Sequence, residues 1–410
     1  MSQEMQKTRR DLLADRLQAG EAVILFANRE AKLQKFSQEN NFLYLTGLNT
    51  PGAIFLMLKT ERGVQTKLFI ERGNPAEEVW TGKKMRPEEA TEISGISEVS
   101  YRDEFLNELG MYARGISKVF SNIGVPKLTE PKPYAMFALE PLIRRYPAIL
   151  LQDIEPMISP LRKVKSDWEV MQLQRAIDIT GKGIMDIMET ARPGMMEYEL
   201  EATLFYRMQI SGTGYWGFAP IIAAGINAAT LHYERNDCRI EAGELVLMDV
   251  GASYKNYSAD VTRCFPISGS FSERQKQIYG LVLDVQKQII EMIKPGVALM
   301  DLQHRTRELL AESCLAIGLI DDLDQIRKYY MHGVSHFLGM DTHDVGGRDA
   351  VLETGNVITV EPGIYIPEER LGVRIEDDVL VTESGYCVLS QNIPKEIAEI
   401  EAIRKAALEN

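Results

Sequence analysis

Two aspartates, Asp249 and Asp260, sit among apolar, strand-like residues in LVLMDVGASYKNYSADVTRCF, Leu245 to Phe265. A carboxylate in such surroundings is costly unless something neutralises it. ELVLMDVG and SADVTRCF read as two strands joined by a tight loop around Tyr254, Lys255 and Asn256. That loop predicts Asp249 opposite Asp260, within one residue of register, with Cβ atoms about 4.5–5.5 Å apart. Like charges so opposed repel. Either one aspartate faces solvent, or both face inward and a cation sits between them.

The histidines favour the cation. The chain has five, and three of them, His332, His336 and His343, fall in HGVSHFLGMDTHDVGG. His232 lies upstream of Asp249, and His304, in the charged helical stretch DLQHRTRELL, reads as a surface residue. NVITVEPG ends an apolar strand on Glu361, and GVRIEDDVLV buries Glu376 beside Ile375. Asp377 and Asp378 follow directly, and spacing alone does not choose among these three acids. Carboxylates with a histidine make an oxygen-rich set suited to Mn²⁺, and also to Co²⁺, Fe²⁺ or Zn²⁺. Asp249, Asp260, Glu361 and Glu376 are too many for one catalytic zinc. They suit two cations about 3.5–4 Å apart, bridged by shared carboxylates and a water.

A fold must carry these residues. EPMISPLRKVKSDWE, with two prolines and a basic run, reads as a seam between domains at residues 1–158 and 159–410. Ser166 stands three before Glu169, a capping box, and the helix it opens is expected to run to about Ala191 and stop at Arg192-Pro193-Gly194. RPGMMEYELE and KPGVALMDLQ form a faint internal repeat, with Glu199-Leu200 and Asp301-Leu302 at the same offset. Each copy leads into a strand pair carrying acids, which predicts two units of paired helices outside a curved sheet. Ahead of the seam, EAVILFA, AIFLMLK and TKLFI read as strands, and DEFLNELGMYA and MFALEPLIRRY as helices, an α/β domain.

With 410 residues the chain is too long for one ordinary core. Its apolar fraction of 45% and charged fraction of 26% describe a soluble globular protein. A net charge of −13 argues against nucleic acid and anionic membrane as partners. No apolar run reaches the roughly 20 residues of a membrane span. MSQEMQKTRRDLLADRL lacks the apolar core of a signal peptide and reads as a polar amphipathic helix. Cys238, Cys264, Cys314 and Cys387 show no paired spacing, which points to a reduced, cytoplasmic protein.

Taken in order, MDVG…SADVTR, HGVSH, VEPG and RIEDD resemble the motifs of the pita-bread metallopeptidases, which include methionine aminopeptidase, prolidase and Xaa-Pro aminopeptidase. NNFLYLTGLNTPGAIFLM and LFIERGNPAEEVWTGKKMRPEEA resemble the non-catalytic first domain of the Xaa-Pro aminopeptidase and prolidase branch. The resemblance covers nearly the whole chain. It implies an α/β (α+β) protein: an N-terminal creatinase-like α/β domain, then a pita-bread catalytic domain with a pseudo-two-fold repeat. It implies five metal ligands: Asp249 on one cation, Asp260 and Glu376 bridging, His336 and Glu361 at the other. Glu361 also stands where the family's general base stands. His232, His332 and His343 match the substrate-side histidines, and Tyr365 and Arg374 match further pocket residues. Trp80 matches a tryptophan that in some relatives reaches a neighbouring subunit's site, and a homodimer or homotetramer follows.

The activity implied is hydrolysis of the bond before proline, with Mn²⁺ the leading metal and proline-containing peptides the substrates. Two departures stand out. Asn41 replaces an aspartate found in some relatives, and an arginine between His343 and Glu361 has only Arg348 as a counterpart. The alternatives are a prolidase confined to Xaa-Pro dipeptides, a metal-free relative, and a methionine aminopeptidase. The five ligands argue against the second, and the extra domain against the third. An uncertain carboxylate clamp favours the aminopeptidase over the prolidase.

Overall fold

A computed structural model describes residues 2–30, 35–124 and 129–409. The chain divides into two compact units, Met1–Arg162 and Lys163–Asn410. EPMISPLRK, part of the stretch read as a seam, is a helix, Glu155–Lys163, with Pro160 inside it.

The first unit is built on β1 (Glu21–Phe26), β2 (Ile54–Thr60), β3 (Gly63–Ile70), β4 (Val99–Tyr101), β5 (Lys118–Ser121) and β6 (Leu150–Asp153). They form one sheet in the order β4-β3-β2-β1-β5-β6. β1 is antiparallel to β2 and parallel to β5. Every residue of β1 is buried, as a central strand covered on both faces requires. Ile24, Phe26, Leu56 and Phe69 pack with Phe105 and Leu109 of helix Phe105–Tyr112 in one core. The N-terminal helix Gln3–Ala14 is less polar in use than in sequence. Arg9 and Arg10 are buried and donate to the carbonyls of Tyr44 and Leu45 at 3.2 and 2.8 Å. Those carbonyls end helix Asn40–Thr46, where cations are favoured.

The second unit opens with helix Asp167–Thr190. The Ser166 N–H donates to Glu169 Oε2 at 3.0 Å, which closes its first turn. Helix Glu197–Ile210 follows, then the strands β7 (Tyr215–Trp216), β8 (Ile221–Ala224), β9 (Leu245–Val250), β10 (Ala252–Tyr254), β11 (Tyr257–Ser258) and β12 (Val261–Pro266). A second helix pair, Glu273–Glu291 and Leu299–Ala316, leads to β13 (Val357–Val360), β14 (Gly363–Ile366), β15 (Leu371–Arg374), β16 (Asp377–Val381) and β17 (Tyr386–Val388). The sheets are β12-β9-β8, β13-β16-β17, β11-β10-β7 and the pair β14-β15.

The repeat is structural. After each first helix the glycine takes positive φ, 93° at Gly194 and 90° at Gly296. Gly194 N–H donates to Ile240 O at 2.8 Å, and Gly296 N–H to Leu352 O at 2.9 Å. Each is followed by a one-residue bridge, Met196 with Arg239 and Ala298 with Val351. Leu200 and Leu302 are both fully buried. The two halves therefore meet the strands through the same local geometry.

The hairpin register differs from the expected one. Asp249 pairs with Thr262, and Val250 with Val261, which sets Asp260 against Gly251. The cause is the turn. Lys255 and Asn256 both take positive φ, 51° and 63°, a two-residue hairpin loop of the primed kind. Its centre, between Lys255 and Asn256, lies one residue later than an opposed Asp249 and Asp260 would need, so the register moves by two. An even shift leaves both aspartates on the same face, as diagonal neighbours rather than a directly opposed pair. Gly251 has no room for a side chain: a Cβ there would lie 1.8 Å from Ala259 O.

Candidate metal centre

The acids lie where strands end. Asp249 is near the end of β9, Asp260 just precedes β12, Glu361 directly follows β13, and Glu376 joins β15 to β16. The loop after helix Leu299–Ala316 and a following 3₁₀ turn supplies His332, His336 and His343. All of these, with His232, Arg348 and Arg374, line one cavity of about 570 Å³. Phe218, Leu231, Leu299 and Phe337 give the same cavity apolar wall.

Ligand atoms of Asp260, His336 and Glu376 all lie within 4.8 Å of one another. His336 Nε2 stands 3.3 Å from Asp260 Oδ2 and 3.6 Å from Glu361 Oε1. Its other nitrogen, Nδ1, faces Phe337 O at 3.0 Å and so carries the hydrogen. The Nε2 lone pair is left pointing at carboxylate oxygens. A cation at that point satisfies all three groups, and a carbonyl behind the far ring nitrogen is the usual support of a ligating histidine.

Electrostatics give the same answer. Burial first, then Asp249, Asp378 and Glu361, hold the Asp260 carboxyl well above its usual range. Burial, Asp260, Glu361 and Asp249 do the same to Glu376. Glu361 is pushed up to about 7 by burial, against the pull of His336 and Arg374. Asp249 Oδ2 is held by Arg374 at 2.6 Å, and its buried Oδ1 has no hydrogen-bond partner among the described residues. So many acids turned inward fit a divalent cation, which is the largest local charge such a site can hold. The donor set, oxygen with one imidazole, fits as well.

The three neighbouring acids separate. Asp377 lies between the cations Arg263 and Lys395, at 2.7 and 2.5 Å, and accepts from Ser390. Burial works to raise its pKa, but those two cations outweigh it and bring it to about 2. It is an ion pair of the fold. Asp378 is fully buried, accepts the Asp260 backbone N–H at 3.2 Å, and sits behind the cluster. Glu376, 2% exposed, is the one turned to Asp260 and His336.

His332 has both ring nitrogens engaged. Nδ1 faces Gly333 O at 2.7 Å, so Nε2 accepts from Tyr365 Oη at 2.8 Å, which in turn accepts from Arg374 Nη1 at 2.9 Å. Burial and Arg374 push the His332 pKa down to about 4. Tyr365, expected in the pocket wall, is fully buried and stands one layer behind it, because its hydroxyl is spent on His332 and Arg374. Burial, His336 and His232 also lower the His343 pKa.

His304 is exposed on its helix. Trp80, in the first unit on helix Pro75–Thr81, is 88% exposed. Asn41 is also in the first unit, where its Oδ1 accepts from Arg162 Nη1 at 2.6 Å. Thr262 and Thr359 were not singled out from sequence. Thr262 Oγ1 donates to Glu376 Oε2 at 2.6 Å, and Thr359 Oγ1 accepts from His336 N at 3.2 Å. Each stands two residues from an acid, Asp260 or Glu361, on a strand whose side chains alternate with period two. That spacing was the available signal.

Residues 171–383 match the family Metallopeptidase family M24, and residues 6–120 match Aminopeptidase P, N-terminal domain. The chain is 35% identical to the Xaa-Pro aminopeptidase of Haemophilus influenzae, over 96% of this chain and 95% of that protein. It is 32% identical to the Xaa-Pro aminopeptidase of Escherichia coli, over 99% and 98%. Among solved structures it is similar to aminopeptidase P from Escherichia coli with the inhibitor Pro-Leu, with a TM-score of 0.91, 31% identity and 100% of both chains covered. The zinc-substituted Escherichia coli enzyme in complex with product gives a TM-score of 0.92 at 30% identity, over 99% of both chains. In sequence, in fold and in the acids gathered at its strand ends, this chain belongs to metallopeptidase family M24.

Proposed function

We propose that this protein releases the N-terminal residue from peptides whose second residue is proline, with two divalent cations, Mn²⁺ foremost, held in a catalytic domain of residues 159–410. The observation that carries the reading is the closeness of Asp260, His336 and Glu376, within 4.8 Å, in a chain whose full-length relatives are Xaa-Pro aminopeptidases. Asp249, Asp260, His336, Glu361 and Glu376, which line one cavity, would hold the cations. Bound there, the cations supply Lewis acidity that lowers the pKa of water toward neutrality and polarises a carbonyl.

The remaining steps belong to side chains. Glu361, which lines the cavity beside His336, would take a proton from the attacking water and pass it to the leaving nitrogen. Partial burial and its neighbours His336 and His232 lower the His343 pKa, which favours the neutral imidazole. A neutral imidazole N–H there donates to the scissile carbonyl oxygen as charge develops on it. The prolyl nitrogen carries no hydrogen, so ring shape must replace the usual amide contact. His332 suits that task. Its nitrogens are tied to Gly333 and Tyr365, which leaves its carbon edge for the prolyl ring, with His232 beside it in the cavity lining. Tyr365 and Arg374 serve by holding His332 and Asp249. The reading includes a cytoplasmic homodimer or homotetramer, supported by the four free cysteines and the exposed Trp80.

His343→Ala is expected to keep its metal and lose roughly 10²–10³-fold in turnover, the usual size for one oxyanion donor. His304→Ala is expected to match wild type. Equal turnover in the two variants would remove His343 from the mechanism.

Substrate length tests the function itself. With Mn²⁺ present, Ala-Pro-Ala and Arg-Pro-Pro-Gly are expected to be cleaved with higher kcat/KM than Ala-Pro, and Ala-Ala-Ala poorly. A clear preference for the dipeptide would reassign the protein as a prolidase. Arg348, which lines the cavity, would then be the first residue to replace, as the clamp for the proline carboxylate.

A further inference from the structure

The basic run RKVKSDWE contains a buried cation that neither the fold nor the chemistry above requires. The Lys165 side chain is 1% exposed, and its Nζ lies 3.0 Å from Asp344 Oδ2, whose side chain is also 1% exposed. Its other hydrogen bond, to Lys163 O, is long at 3.4 Å. Two charges withdrawn from water persist only where their geometry is good, and the backbone is built around this pair. Gly339 makes the room: a Cβ there would lie 2.0 Å from Asp344 Oδ2 and 2.9 Å from Lys165 Cε. The Lys165 N–H is fixed to Gly355 O at 2.8 Å, and the next residue caps helix Asp167–Thr190.

The far end of the pair touches the site. Asp344 directly follows His343. Its N–H donates to Phe337 O at 2.9 Å, the same carbonyl that receives His336 Nδ1–H at 3.0 Å. Within this closed turn the His343 ring stands edge-on to the His336 ring, with centroids 4.4 Å apart. One anchored lysine thus reaches, through a single aspartate, the turn that carries His343, while His336 is held separately by Thr359, whose N–H donates to His336 O at 2.9 Å and whose Oγ1 accepts from His336 N at 3.2 Å.

We propose that Lys165 and Asp344 are a positioning pair for the reaction: their buried contact holds the turn from His336 to Asp344 so that the His343 ring faces the substrate carbonyl. The proposal rests on the role given to His343 above. A pair that served only to stabilise the fold would act independently of His343, and this difference can be measured.

The test uses the full-length, metal-loaded protein and Ala-Pro-Ala. Lys165→Met is expected to keep its metal content and KM and to lose kcat by roughly 10²-fold, the size expected from an ångström-scale misplacement. Asp344→Asn keeps the volume of the site and serves where Lys165→Met folds poorly; it is expected to lose kcat in the same way, to a smaller extent. In a His343→Ala background neither change is expected to cost more, because residues that act through one another are not additive. A full further loss on top of His343→Ala would overturn the proposal, and so would wild-type turnover in both pair variants when His343→Ala is impaired. Wild-type turnover in His343→Ala itself would overturn the role of His343 and the pair with it.

Discussion

Asp260→Asn is expected to fold, to bind less metal and to lose nearly all turnover. Asp260 is 4% exposed, and its carboxyl faces the negative charges of Asp249, Asp378 and Glu361. In metal-free protein that crowd holds the Asp260 carboxyl well above its usual range, so an amide takes the place of a protonated acid of the same shape, and the metal-free variant should melt no lower than metal-free wild type. The backbone contact from Asp260 N to Asp378 Oδ2 does not depend on the side chain and should survive. An amide cannot bridge two cations as a carboxylate does. The cation contribution to a hydrolysis is several kcal/mol, which corresponds to a rate loss on the order of 10³-fold or more. Elemental analysis, a thermal melt and turnover of Ala-Pro-Ala on the same sample decide it. Wild-type turnover would mean that Asp260 is not part of the site.

Local signals gave much of the fold. The capping box at Ser166 and Glu169 located helix Asp167–Thr190 to within a residue at each end. The paired Arg-Pro-Gly and Lys-Pro-Gly stretches exposed a repeat that the backbone bonds of Gly194 and Gly296 reproduce. The hairpin register was not legible. A lysine and an asparagine at positive φ carry less signal than Asn-Gly would, and the pairing came out two residues from the expected one. The two aspartates still share a face because side chains on a strand alternate, and a shift of two keeps the face.

The site was legible as a set and not in its layers. The acids and histidines could be gathered from residue type and strand endings, because a buried acid must be explained by something. Spacing alone could not say which acid of Glu376, Asp377 and Asp378 turns to the cavity, and only the family resemblance pointed to Glu376. The deciding partners of Asp377 are Arg263, 114 residues away, and Lys395. Tyr365 could be placed near the site but not behind its wall, since the GIYI strand gives no sign of what its hydroxyl meets. The Lys165–Asp344 contact joins residues 179 apart and had no local signal at all.

The central claim is that the acids gathered around Asp260 exist to hold cations, and removing the metal tests it most directly. In metal-free protein the buried carboxyls of Asp260, Glu361 and Glu376 all have raised pKa values; protons then replace cations as the compensating charge, and the fold is kept without the Lewis acid. The decisive measurement is turnover of Ala-Pro-Ala by protein stripped with a chelator, verified as metal-free by elemental analysis and as folded by circular dichroism, then titrated with Mn²⁺. The account predicts that turnover falls to background on stripping and returns with Mn²⁺, reaching its plateau near about two equivalents per chain, as a paired site requires. Full turnover by folded protein that contains no metal would contradict it.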